Sequence, residues 1–154
     1  MEQENAGDTR RKDVARNAGW TIITALLKGG AAELGLSLSE TVVLQQICRP
    51  CNNGHKTSFP SELTIARDSC ITERSVKRIK KRLKDKYIQP GVRLLTWETE
   101  YAPPVNTDRG KPIKSIYNLL PLFEWAKDYH RRYKKKLSRA RGQSVQQGDT
   151  ESPL

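Results

Sequence analysis

Arg74, Ser75, Lys77, Arg78, Lys81 and Arg82 follow one another in a stretch with no acidic residue between Arg74 and Lys84. Their chemistry is recognition rather than bond making. A guanidinium presents a planar fork of N–H donors that matches paired acceptors such as O6 and N7 of guanine, whereas an ammonium is a compact charge suited to a phosphate. At about 100° per residue, Val76, Ile79 and Leu83 share one helical face, and Arg74, Lys77, Arg78 and Lys81 share the opposite one. The plain alternative is the solvated side of an amphipathic helix. Such a side normally mixes Glu with Lys to gain i,i+4 pairs, and this one does not.

A second, short helix is expected just before. Pro60-Ser61 precedes Glu62, Leu63, Thr64, Ile65 and Ala66, so Ser61 can cap an otherwise unpaired backbone N–H. Thr72 caps the basic helix, and Ile71 before the cap can meet Val76 one turn in. Ala66 supplies the small side chain that two helices need where they cross through a tight turn. The pattern is that of a helix-turn-helix. The N-terminal half of its second helix reaches deepest, which makes Arg74, Ser75 and Arg78 candidates for base edges and Lys77, Lys81 and Arg82 candidates for phosphates.

Gln89-Pro90-Gly91 reads as a turn, and Val92 to Trp97 with Ser115 to Leu119 as two strands of a hairpin, or wing. Between them, Glu98 to Lys114 is too irregular for strand. Arg109, Lys111 and Lys114 on it could reach a phosphate or a minor groove, or form a simple solvated loop. Upstream, Ser39 is the expected cap of a helix from Glu40 to Cys48, with Val42, Val43, Leu44 and Ile47 as its apolar stripe.

From about Leu36 to Leu119 the chain resembles the winged-helix domains of phage and plasmid replication initiators or replisome organisers, shared with some transcription regulators. The resemblance rests on Leu36-Ser37-Leu38-Ser39, the Asn53-Gly54 turn, Pro60-Ser61 with Ala66, and Thr72 to Ile79 leading to Leu83 and Tyr87-Ile88. It implies double-stranded DNA as partner, together with further replication proteins. Cys70 and Lys86 stand where that family usually has Gly, so both turns are expected to be built differently here.

Flanking segments complete the division of the chain. Residues 1–12 and 142–154 read as disordered, 13–34 as an N-terminal helix ending near Leu27 at Gly29-Gly30, 36–120 as the DNA-binding domain, and 121–141 as a basic C-terminal helix. The N-terminal helix either packs within its own chain or joins a homodimer. In the C-terminal helix, Phe123, Trp125, Tyr129 and Tyr133 recur at core spacing, although stacking on single strands is the other use of such residues. Its far half carries Arg131, Lys134 and Lys135 among many cations and reads as a phosphate-binding extension.

The formal net charge of +11 favours a polyanion. A membrane surface is excluded as the partner because neither an apolar span nor a strongly apolar basic helix is present. Glu2, Glu4 and Asp8 do not suit an export or transit signal, which points to the cytoplasm and, for a DNA binder, the nucleoid. Cys48, Cys51, His55 and Cys70 offer zinc-ligand types at an unusual spacing. Structural thiols are the preferred reading, and neither a metal nor a cofactor is expected. No phosphate-cradling glycine loop or activated nucleophile is visible, so an enzyme is not expected.

The expectation is a mainly α protein with a small β-hairpin wing, a winged helix-turn-helix with N- and C-terminal helical extensions. Replication initiation leads, transcriptional repression is the alternative, and an adaptor for an acidic protein or an RNA binder are rivals from other classes.

Overall fold

The computed structural model describes residues 17–103, 110 and 112–148. Helices α1 (Ala18–Ala25), α2 (Leu38–Cys48), α3 (Glu62–Ser69), α4 (Glu73–Lys84) and α5 (Leu120–Gly148) dominate it. Short strands β1 (Thr57–Ser58), β2 (Tyr87–Gln89), β3 (Val92–Arg93), β4 (Thr96–Tyr101) and β5 (Pro112–Asn118) complete the architecture. β2 and β3 form a two-stranded sheet, and a three-stranded antiparallel sheet runs β1-β5-β4.

Side-chain caps decide where the helices begin. Ser61 Oγ accepts the Thr64 N–H at 3.1 Å and Thr72 Oγ1 accepts the Ser75 N–H at 3.2 Å, as the sequence predicts. For α2 the cap is Ser37 rather than Ser39. Ser37 Oγ accepts from the Glu40 N–H while Glu40 returns a bond to the Ser37 N–H, so a reciprocal capping box draws the helix start two residues upstream. Lys86 helps hold this corner by donating to the Gly35 carbonyl at 2.8 Å, with Glu40 Oε2 3.4 Å away.

One core serves every layer. Val43, Leu44 and Ile47 of α2, Ile65 and Ala66 of α3, and Val76, Ile79 and Leu83 of α4 are buried together with Leu94, Leu95, Tyr117 and Leu119. α2, α3 and α4 pack on one another, and α4 turns Val76, Ile79 and Leu83 inward as their spacing requires. Burial of side chains of this size stabilises by roughly 1.5–3 kcal/mol each before the cost of ordering the chain.

The strands depart from expectation in instructive ways. Val92–Trp97 is not one strand: the ladder breaks at Leu94-Leu95, both fully buried, and restarts at Thr96. β4 then continues through Glu98 to Tyr101, a stretch expected to be irregular, because Glu98 pairs with Ile116, Thr99 with Ser115 and Glu100 with Lys114 across the hairpin. β1 has no counterpart among the expected elements. It is only two residues long and exists because Thr57 and Ser58 pair with Asn118 and Tyr117, while Ser58 Oγ donates to the buried Ile47 carbonyl at 2.6 Å.

At the chain's flanks, α1 packs on α5 and on α2, with Ile22, Ala25 and Leu26 in the core. Residues 13–16 of the expected N-terminal helix lie outside the described residues. Regular helix ends at Ala25, and a wide turn over Leu26–Gly30 follows, with Gly29 at φ 99°. Gly30 lets α5 approach: a Cβ there would stand 2.5 Å from the Trp125 ring and 2.5 Å from the Ala25 carbonyl. α5 itself runs to Gly148, beyond the expected limit at Arg141 and into the segment read as a disordered tail. Residues 149–154 and 1–12 lie outside the described residues.

Candidate nucleic-acid interface

The turn between α3 and α4 sets the angle at which α4 is presented. Cys70 closes α3 in the left-handed conformation, φ 57° and ψ 37°, its N–H directed to the carbonyls of Ala66 and Arg67. The turn therefore takes the conformation a glycine would favour, with a cysteine bearing the strain. Sequence reasoning expected Cys70 to be a small packed side chain; instead it is exposed, because a left-handed cap turns its Cβ outward. Ile71 packs half-buried against the core, to which Val76 and the 5% exposed Ala66 belong.

Arg74, Lys77, Arg78, Lys81 and Arg82 all lie exposed on the outer side of α4. They are not equivalent. Lys77 Nζ stands 3.7 Å from Glu62, whereas Arg74, Arg78, Lys81 and Arg82 make no hydrogen bond or ion pair among the described residues. Ser75 is half-buried and its hydroxyl accepts from Thr72 at 3.0 Å, so the capping network engages it more than its assignment to base edges allowed for.

Lys80 is the residue that sequence reasoning passed over. It is 3% exposed and donates to Glu62 Oε1 at 2.9 Å, with its ammonium 4.8 Å from the Trp97 ring centroid and 5.1 Å from that of Tyr117. A carboxylate and two ring faces replace the water it loses. Trp97 and Tyr117 are partners across β4 and β5, so this one cation ties α4 to the sheet and to α3. Tyr117 is buried and its hydroxyl completes no hydrogen bond; burial raises the phenol's pKa, and the Lys80 ammonium beside it acts the other way.

Helix and sheet enclose a groove of about 480 Å³, lined by Lys77, Lys80, Lys81 and Lys114, with Glu62 as its acidic member. The groove brings together phosphate candidates from α4 and from the hairpin. Lys114 stands 3.5 Å from Glu100 and 5.0 Å from the Phe59 ring centroid. Arg109 and Lys111, the other hairpin candidates, lie outside the described residues.

Arg131 and Lys134 are in a different place. They line a second groove, of about 590 Å³, between α5 and α1, and Lys135 is exposed on α5 outside either groove. The α5 aromatics are packed rather than displayed: Trp125 is 9% exposed and meets Tyr129 at a tilt, 5.3 Å between ring centroids, and Tyr129 stacks in turn at 6.3 Å on Tyr133.

The thiols do not converge. Cys48 is buried in the core, Cys51 half-buried and Cys70 exposed at the α3 turn, and no cluster of three His, Cys, Asp or Glu side chains suited to a metal occurs among the described residues. Burial pushes the Cys48 thiol well above its usual pKa and raises that of Cys51, which disfavours the nucleophilic thiolate at both. Among the described residues no helix is long and apolar enough to cross a membrane. Comparison with known proteins finds no matching family model, curated protein or solved structure.

Proposed function

We propose that the chain is a sequence-specific double-stranded DNA-binding protein of the winged helix-turn-helix type, with α4 in the major groove and the β4–β5 hairpin as the wing. The observation that carries this reading is the outer face of α4. The side chains of Arg74, Arg78, Lys81 and Arg82 are exposed there and meet no partner among the described residues, with no acidic residue interleaved. Arg74 and Arg78 take base edges, while Lys77, Lys81, Arg82 and Lys114 hold the backbone on either side. Glu62 supports this division by pairing closely with Lys80 inside, at 2.9 Å, and only loosely with Lys77, at 3.7 Å.

In this reading, which rests on the resemblance to replication initiators, the DNA site lies near a phage or plasmid origin and the protein recruits further replication proteins. Repression of a promoter is the alternative that the same groove-reading face serves. Selection of bound sequences from a random duplex library, at near-physiological salt, tests the proposal. An enriched motif supports a sequence reader, its symmetry reports whether one copy or a homodimer binds, and its position at an origin or a promoter separates the two roles. Absence of enrichment would reject sequence recognition and favour an acidic protein or non-specific nucleic acid as partner.

A further inference from the structure

Trp20 is 53% exposed on α1, although it belongs to the apolar run whose Ile22 and Ala25 are fully buried. It lines the groove between α1 and α5 with Lys127, Arg131 and Lys134, which recur at helical spacing along one face of α5. Lys127 is 3.0 Å from Glu124, while Arg131 and Lys134 have no internal partner among the described residues. A half-exposed indole beside a row of cations is the pairing that a nucleotide meets with its base and its phosphates.

The walls of the groove are fixed by bonds that leave little else to read. Thr21 Oγ1 donates to the Asn17 carbonyl at 2.9 Å, Thr24 Oγ1 to the Trp20 carbonyl at 2.8 Å, and His130 Nε2 to the Thr21 carbonyl at 2.9 Å. With these groups engaged, the groove offers a stacking face and positive charge, and none of its hydroxyl or imidazole donors is left to read a base edge or a ribose 2′-hydroxyl. A second copy of the chain fits poorly, since a two-fold contact would set Lys127, Arg131 and Lys134 against their own counterparts. This surface shares no lining residue with the groove beside α4.

We infer that the α1–α5 groove binds single-stranded DNA without sequence preference, one base stacking on Trp20 and the adjoining phosphates lying on Lys127, Arg131 and Lys134. The inference stands independently of duplex recognition by α4. A fluorescein-labelled oligothymidylate, which forms no duplex with itself, tests it by anisotropy on the full chain at near-physiological salt. Trp20→Ala weakens binding roughly five- to a hundredfold, the range expected for loss of one stacked base, while Trp20→Phe retains most of it. Arg131→Ala with Lys134→Ala lowers both affinity and salt slope. Arg74→Ala with Arg78→Ala, on the other surface, leaves oligothymidylate binding unchanged, so failure of one proposal is distinguishable from failure of the other. Unaltered affinity in Trp20→Ala overturns the inference and reduces the α5 cations to a non-specific electrostatic patch. It is equally overturned if Trp20→Ala changes the sedimentation of the protein without changing strand binding, or if an oligouridylate of equal length binds tenfold more tightly.

Discussion

α4 and α5 are both rich in Lys and Arg, yet they use their charge differently. α4 divides its cations by face: Lys80 is buried against Glu62 and two rings, Lys77 and Lys84 lie at the edges beside Glu62 and Trp97, and the outer side chains of Arg74, Arg78, Lys81 and Arg82 meet no partner among the described residues. α5 mixes the two states along one helix. Arg132 grips Glu33 and Asp128, and Tyr129 donates to the Lys28 carbonyl at 2.6 Å, so part of its polar face is used to hold α1. A count of basic residues therefore identifies neither helix as a binding surface. What matters is which cations the fold has already engaged internally.

Removing Lys80 is the severest way to test that distinction. Lys80→Ala leaves the partly exposed Glu62 with only the more distant Lys77 and opens space against Trp97, so unfolding by urea should show a loss of roughly 1.5–3 kcal/mol, the range for a hydrogen bond between charged groups. A loss below about 0.5 kcal/mol, the usual range of a surface site, would mean that Lys80 is an ordinary exposed cation after all. The opposite face of the same helix should respond in affinity rather than stability. Arg78→Ala is expected to cost on the order of 1–3 kcal/mol on a selected duplex and little on random duplex, measured by competition. Equal losses on both would make Arg78 a phosphate contact.

Truncation after Leu137 sharpens the comparison from the side of α5. It removes Arg139 and Arg141, so duplex affinity should fall for every sequence and the slope of log affinity against log salt should flatten by roughly 0.9 for each phosphate no longer neutralised. An unchanged slope would show that α5 meets no phosphate beyond Leu137. The smallest effect is expected at the turn that presents α4. Cys70→Gly relieves a left-handed cap while adding unfolded-chain entropy, for a net gain of roughly 0.5–1 kcal/mol in thermal or urea unfolding. A loss of stability would mean that the Cys70 side chain contributes something its exposure does not reveal.

Local rules carried much of this architecture. Ser61 and Thr72 mark helix starts because a hydroxyl beside unpaired N–H groups needs only neighbouring residues, and Val76, Ile79 and Leu83 mark a buried face because period alone defines it. The capping box was equally legible: Ser37 stands three residues before Glu40, and its reciprocal bonds outweigh the cap that Ser39 could offer. Lys80 was legible in geometry but obscured by residue type. At about 100° per residue it lies roughly 40° from Val76, nearer than Ile79, yet a lysine is read as exposed by default. β1 and the outer part of β4 had no local signal, since Thr57 and Glu98 become strand only through partners far along the chain. Trp20 escaped for the converse reason: an aromatic in an apolar run is assumed to be core.

The clasp between α1 and α5 also bears on how the molecule's contacts are spread along its length. α1 is the first helix described, and part of its apolar face meets α5, the last one. Ile22, Ala25 and Leu26 share their core with Leu122, Trp125 and Ala126 from far along the chain, while α2, α3 and α4 meet one another over shorter separations, and contacts of long separation are the slower ones to form. The two ends of the domain are therefore joined late and from a distance. The groove holding Trp20 lies along that contact, so its walls are brought together from the two ends of the described chain rather than from neighbouring residues.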